Sequence, residues 1–225
     1  MDERTQWAGA GTHRRRLAEA LRSFCAQMVT CDAPDEAFEA AADAVEQFTR
    51  ALHEEPRRVR RIAASVQEEI RVDGERVHYG DLLYFSPLAG TLNPLAPPMK
   101  IVKQDPETML AFVSFSSLYE GGPGFVHGGY IAAAFDELLG LTQSLTGRAG
   151  MTGILNTRYR NPCPLHRELH MEGRVSRFDD RRILTQGRMY DGELLLADAE
   201  ATFVLVGREE FRKRTSHLKR PPPAS

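Results

Sequence analysis

Apolar residues in the first third of the chain recur every three or four positions, the spacing of one face of an α-helix. A first stripe comprises Leu17, Leu21, Phe24 and Met28, and a second comprises Phe38, Ala41, Ala42, Val45, Phe48 and Leu52. Between them, Pro34 precedes the acidic pair Asp35-Glu36, which favours a helix start, and Pro56 marks a helix end. We therefore predict a helical extension over residues 1–75.

The second half of the chain changes to an alternation typical of β-strands. Strands are predicted at 109–115, 169–176, 183–190 and 194–206, with Asp191-Gly192 as a two-residue hairpin turn. In the last strand, the side chains predicted to share one face are those of Ala197, Ala199, Ala201, Phe203 and Leu205. Short turns between these strands indicate an antiparallel sheet.

One helical stripe interrupts the strands, over roughly residues 128–145. Its apolar face comprises Ile131, Phe135, Leu138, Thr142 and Leu145. A single long helix within a series of antiparallel strands predicts an α+β domain whose sheet packs around that helix. We assign this domain to residues 76–207, and we expect the basic, proline-ended segment 208–225 to be disordered.

Composition excludes several classes of protein. The 225 residues carry a net charge of −2, so the molecule as a whole is not built to coat nucleic acid. The arginine clusters at 14–16 and 57–61 lack interleaved aromatic residues, and we expect solvated faces, with an acidic-group site as the alternative for the second cluster. No apolar run approaches the roughly 18 residues that span a bilayer. Three cysteines at no metal-ligand spacing fit free thiols, so we expect a soluble, cytoplasmic protein without a metal.

Candidate chemistry is concentrated at the start of the interrupting helix. The adjacent glycines 128 and 129 leave backbone N–H groups that could receive an anion or a developing oxyanion. Gly129, Asp136 and Gly140 fall in one sector of the helical wheel, away from the apolar stripe. A carboxylate on such a small-residue face is costly unless it is paired or used, which makes Asp136 a stronger candidate than Glu137.

These residues resemble a known signature. His127-Gly128-Gly129, followed by Asp136 and Gly140, is similar to the pattern of PaaI-like acyl-CoA thioesterases of the 4-hydroxybenzoyl-CoA thioesterase superfamily. The similarity continues through Thr152 and the segment 156–162, and covers roughly residues 105–206. The resemblance implies a hotdog fold, in which an antiparallel sheet wraps one long central helix.

The resemblance also implies the chemistry of the site. It implies a homodimer, or a dimer of dimers, that hydrolyses an acyl-CoA thioester at a site shared between protomers, with no cofactor because CoA is part of the substrate. Gly128 would donate its amide to the thioester carbonyl, beside Gly129, and Asp136 of the partner protomer would act as general base or as nucleophile. Thr152 would hold water or the carboxylate. His127 would orient the glycine turn, with acid–base work by its imidazole as the alternative.

Two features leave alternatives open. Some family members carry Asn or Gln six residues before the histidine to hold the lytic water, whereas this chain has Gly121, so another group, or Glu120, would have to serve. Arg158 and Arg160 lie two apart on one strand and so share a face. They could bind CoA phosphates, or they could be solvent-exposed strand arginines.

Two other functions fit these residues less well than hydrolysis does. A non-catalytic acyl-CoA-binding or regulatory module would gain nothing from a carboxylate beside a carbonyl. A hotdog hydratase is weaker still: the segment 90–96 superficially resembles its motif, but Leu92 and Ala96 stand where the acid and the histidine are needed.

Overall fold

A computed structural model describes residues 3–53, 84–148 and 150–205, with side chains described from residue 12 onward. The elements are α1 (Glu3–Thr30), α2 (Asp35–His53), β1 (Lys100–Lys103), β2 (Thr108–Ser114), a 3-10 turn (Ser117–Tyr119), α3 (Gly128–Thr142), a second 3-10 turn (Gln143–Thr146), β3 (Met151–Tyr159), β4 (Glu168–Phe178), β5 (Arg182–Asp191) and β6 (Leu194–Val204). All strand pairs are antiparallel, in the order β1-β2-β4-β5-β6-β3. The sheet and its helix form the hotdog fold that the sequence predicts.

The concave face of the sheet packs on α3, because both present apolar residues at the spacing of their own secondary structure. From α3, Ile131, Phe135, Leu138 and Thr142 are buried as predicted, while Leu145 is half-buried beyond the helix end. From β6, Ala197, Ala199, Ala201 and Phe203 are buried, and Leu205 is half-buried against the same core. The two periodicities therefore identify one shared core.

Two glycines let the helix approach the middle of the sheet closely. Gly173 of β4 and Gly187 of β5 face each other in register. A Cβ on Gly173 would lie 2.4 Å from the Thr142 hydroxyl oxygen, and one on Gly187 would lie 3.2 Å from carbons of Phe135 and Leu139. Glycine within these strands therefore marks the point where the helix contacts the sheet.

The N-terminal helices form as predicted, and α2 begins at Asp35. Residues 54–75 of the predicted extension, with the arginine cluster at 57–61, lie outside the described residues, as does the tail 208–225. α1 contacts the 3-10 turn 117–119, its Ala18 is buried, and Arg22 donates from Nη1 to the Asn93 carbonyl oxygen at 2.9 Å. The structure describes no helix long and apolar enough to cross a membrane.

The structure differs from the sequence prediction in three places. Strand β1 precedes the first predicted strand and was not predicted, since four residues at a sheet edge carry little alternation. The hairpin turn is Gly192-Glu193, with Gly192 at φ +58° and Asp191 paired to Leu194, one residue later than predicted. α3 ends at Thr142 and continues as a 3-10 turn, and not as α-helix to 145.

Candidate active site

The N-terminus of α3 is held by its own capping residue. His127 has an extended backbone (φ −60°, ψ 131°), and its Nδ1 accepts a hydrogen bond from the Gly129 N–H at 3.0 Å. The imidazole thus satisfies one of the amides that a helix start leaves without a partner. Nδ1 must be unprotonated to accept it, which places the proton of a neutral ring on Nε2.

The Gly128 N–H is the amide at the start of α3 that remains without an acceptor in the described residues. The Tyr159 hydroxyl donates to the Gly128 carbonyl oxygen at 2.9 Å, and a Cβ on Gly128 would lie 3.3 Å from the tyrosine ring. The tyrosine therefore holds the carbonyl of the 128–129 peptide, whose N–H is bonded to His127, and the Gly128 N–H belongs to the preceding peptide.

Asp136 lies two turns further along α3 and is exposed in the single chain. Thr152 of β3 donates its hydroxyl to Asp136 Oδ1 at 2.9 Å. The pairing of β3 with β6 shifts register between Thr152 and Ile154, at the point where the strand turns this hydroxyl toward the helix. The structure thus brings together the predicted carboxylate and the predicted hydroxyl.

The two halves of the candidate site are far apart within one chain. Gly128 and Asp136 are eight residues apart on the same helix, which corresponds to about 12 Å along its axis. Because a helix is rigid over two turns, the amide of one chain and the carboxylate of the same chain cannot contact one carbonyl group together.

The position six residues before the histidine has no room for a side chain. A Cβ on Gly121 would lie 2.7 Å from His127 Cα and 3.0 Å from its Cβ. Glu120 is engaged in its own turn, because its Oε1 accepts from the Gly124 N–H at 2.6 Å. The close packing of Gly121 on His127 explains the departure in this chain.

Glu137 makes a hydrogen bond that the sequence pattern does not predict. Its Oε1 accepts from the Ser86 hydroxyl at 2.8 Å, and the same Ser86 oxygen accepts the amides of Leu88 and Ala89. Burial raises the pKa of Glu137, the Ser86 hydrogen bond lowers it, and the neighbouring Asp136 raises it again. Glu137 thus fastens the segment 84–90 to the central helix, a contact across 51 residues that periodicity cannot predict.

The two predicted CoA-binding arginines meet at one carboxylate. Arg160 Nε lies 2.5 Å from Asp198 Oδ2, and Arg158 Nη1 lies 3.5 Å from Asp198 Oδ1 and 4.0 Å from a carboxylate oxygen of Glu200. Hydrogen bonding from Arg160 lowers the pKa of Asp198. Only Arg158 lies on β3, because the strand ends at Tyr159 and Arg160 directly follows it, but both side chains reach Asp198 and remain about half exposed.

Cysteine and metal chemistry have little support in the described residues. Burial raises the pKa of Cys163 to about 12, which disfavours the thiolate that a nucleophile requires. No group of three His, Cys, Asp or Glu side chains in the described ranges has the spacing to hold a metal ion.

The part of the chain that carries this site is similar to a known protein family. A model of the thioesterase superfamily matches residues 123–197, which run from the turn before α3 into β6. Residues 123–197 of this chain are therefore similar to the thioesterase superfamily.

Particular relatives match over part of their length. Acyl-coenzyme A thioesterase THEM4 of Xenopus laevis is 34% identical over 87 residues, which are 38% of this chain and 39% of that protein. Acyl-coenzyme A thioesterase THEM5 of Homo sapiens is 30% identical over 96 residues, 42% of this chain and 39% of that protein. The matches thus cover about two fifths of these relatives.

Two solved structures cover more of their own chains. A crystal structure of a thioesterase superfamily protein has a TM-score of 0.73 at 27% identity and covers 85% of this chain and 90% of its own. Residues 84–225 are 142 of the 225, which is less than the 85% of the chain that the match covers. The match therefore includes part of residues 1–83. Zebra fish thioesterase superfamily member 2, with a TM-score of 0.50 at 15% identity over 57% of this chain and 94% of its own, shares the fold.

Proposed function

We propose that this protein hydrolyses acyl-CoA thioesters at a site formed by two copies of the chain. Asp136 comes from one copy and the Gly128 amide from the other. The observation that carries the proposal is the separation of about 12 Å between these groups on one helix. The names of the relatives, acyl-coenzyme A thioesterases, support the substrate class.

The edge of the sheet supports the pairing of two copies. β3 is an edge strand whose residues are exposed or half-buried throughout, so one side of its backbone has no neighbouring strand among the described elements. Beside it, α3 presents small, partly exposed residues at Ala132, Ala133 and Gly140, and a Cβ on Gly140 would meet nothing within 4 Å. A second α3 could lie close to this face and bring its Gly128 toward Asp136 of the first.

The reaction follows from the groups so assembled. Acting as a base, Asp136 takes a proton from water while the water oxygen bonds to the thioester carbon, and the carbonyl oxygen becomes an oxyanion at the Gly128 N–H. Collapse of this intermediate breaks the carbon–sulfur bond and releases CoA thiolate. Acting as a nucleophile, Asp136 would form a mixed anhydride that water then cleaves. Thr152 holds the carboxylate in position in either route.

The proposal also includes the binding of CoA, the branch of the family and the location of the enzyme. Arg158 and Arg160 bind the phosphates of CoA, and they give up part of their ion pairing with Asp198 when they do so. The His127-Gly128-Gly129 spacing to Asp136 supports a place in the PaaI-like branch and a role in lipid metabolism. All three cysteines are free, which supports a cytoplasmic location. The proposed hydrolysis needs no cofactor, because CoA is part of the substrate.

The proposal is tested by release of free CoA thiol from acyl-CoA substrates of increasing chain length. We expect turnover with at least one chain length, and a loss of about 10²–10⁴ in kcat for Asp136→Asn. Binding of acyl-CoA without turnover at any chain length would instead indicate a non-catalytic binding module.

A further inference from the structure

The second helix of the chain has an apolar face that nothing in the described residues covers. None of its residues is buried, and the side chains of Phe48 and Leu52 are 70% and 64% exposed. Phe38 and Val45, on the same side of the helix, are also exposed. Four large apolar side chains along one face of a solvated helix are costly, and they mark an interaction surface.

The first helix also leaves most of its apolar stripe exposed. Among the described side chains of α1, Ala18 is buried and Leu21 is half-buried, whereas Leu17, Phe24 and Met28 are 49%, 38% and 47% exposed. The stripe therefore remains available while α1 is already anchored to the 3-10 turn 117–119.

The spacing of both stripes fits another helix. We call these two stripes the arm surface; its members are Leu17, Leu21, Phe24 and Met28 on α1, and Phe38, Ala41, Val45, Phe48 and Leu52 on α2. In each stripe the intervals alternate between three and four residues, the a/d pattern of helices that pack side by side. This pattern is more specific than a merely apolar surface, because a partner helix must carry the same spacing.

The charges of the two helices are complementary. α2 carries five acidic side chains against one arginine, whereas residues 12–30 of α1 carry four arginines against one glutamate. Opposite charges beside an a/d stripe select the partner in helical bundles. The chain therefore contains two helices of opposite charge, and one arginine of the basic helix, Arg22, already bonds the Asn93 carbonyl.

The position of α1 indicates which molecule supplies the complementary helix face. α1 lies against Tyr119, whose ring meets that of Tyr130 edge-on at a centroid distance of 4.9 Å, and Tyr130 directly follows the glycine pair. α1 is thus next to the end of α3 that the shared site requires a second copy to approach.

We propose that the arm surface binds the arm surface of a second copy, with the acidic α2 of one chain against the basic α1 of the other. This inference rests in part on the proposed function, through the two-copy site. The N-terminal extension then has a role separate from catalysis, because contacts between arm surfaces strengthen or extend the assembly of copies of the chain.

The test measures assembly of the full chain by sedimentation velocity over a range of concentrations. Phe48→Glu and Leu52→Glu each place a charge on the arm surface, and Gln47→Glu adds the same charge on the opposite face of α2. We expect the first two variants to form a smaller species, or to need at least tenfold more protein to assemble, while Gln47→Glu matches wild type. Far-UV circular dichroism checks helix content, and either arm variant suffices if the other does not fold.

The outcomes separate this inference from the proposed function. If both arm variants assemble as wild type does, the arm surface does not bind a second copy, whereas the thiol-release assay on the same variants still reports hydrolysis. If wild type is a single chain at every concentration, the arm inference and the shared site both fail. Dissociation of the arm variants with unchanged Gln47→Glu supports the inference even where no acyl-CoA is hydrolysed.

Discussion

Thr152 donates its hydroxyl to Asp136 Oδ1 at 2.9 Å, across the gap between the edge strand β3 and the central helix. This hydrogen bond occupies one carboxylate oxygen and leaves the other for water or substrate. It also fixes the side-chain rotamer of an otherwise exposed aspartate, so that the carboxylate is oriented before a second copy arrives.

Removal of this hydroxyl should reduce activity without abolishing it. We expect Thr152→Ala to lower kcat about tenfold, the effect of losing a hydrogen bond to a charged group worth about 1.4 kcal/mol. Thr152→Ser keeps the hydroxyl and should stay within about threefold of wild type. An equal loss in both variants would show that the methyl group, and not the hydrogen bond, matters.

Addition of a side chain at Gly121 should disturb the histidine. A Cβ there would lie 2.7 Å from the backbone of His127, which cannot move without moving the start of α3. We expect Gly121→Ala to lower both the melting temperature and kcat. Gly122→Ala is the matched control, because a Cβ at Gly122 meets nothing within 4 Å. A stable, fully active Gly121→Ala variant would contradict the close packing described above.

Arg158 and Arg160 should act on the nucleotide part of the substrate. We expect Arg158→Ala to raise KM for acyl-CoA several-fold, with little change in kcat, since a phosphate contact is made equally in ground and transition states. The control substrate is the corresponding acyl-pantetheine, which carries no phosphate and should keep its KM. A similar rise in KM with both substrates would assign the effect to the ion pair with Asp198.

Glu137 should make stability depend on pH. Because burial raises its pKa in the folded state, the folded protein holds this proton at pH values where the unfolded chain has lost it. The free energy of unfolding therefore falls as pH rises from the ordinary carboxyl pKa through the raised one. Glu137→Gln should lose less stability over this window than wild type in thermal melts, while the exposed control Glu193→Gln should follow wild type. Parallel curves for wild type and Glu137→Gln would contradict this.

The core could be predicted from the sequence because it depends on periodicity. Phe135 and Leu138 on the helix, and Ala199 and Phe203 on the last strand, are buried as the pattern indicates. The same reasoning did not reveal that the α1 and α2 stripes remain exposed. A stripe predicts that a face will be covered, and it does not specify which molecule covers it.

Contacts between distant residues could not be predicted in this way. The pairs Ser86–Glu137 and Tyr159–Gly128 join residues 51 and 31 positions apart, and neither follows from helix or strand spacing. The glycines did carry a readable signal. Gly121, Gly173 and Gly187 stand where another atom would meet a Cβ at 3.2 Å or less, so their places in the sequence mark close approaches.

Assignment of Asp136 and Gly128 to different copies of one site is the central claim, and complementation tests it most directly. Gly128→Pro removes the amide hydrogen at a helical position that accepts proline, after a histidine whose extended backbone already suits a following proline. Asp136→Asn removes the base. Each variant alone should be nearly inactive.

The decisive measurement is the thiol-release rate of the heterodimer, obtained by co-expression of the two variants with different affinity tags and purification on both. If the site is shared, one of its two sites combines both intact groups, and the heterodimer should recover about half of the wild-type rate. If each site lies within one chain, both sites carry a defect. A heterodimer no more active than either parent would contradict the shared site.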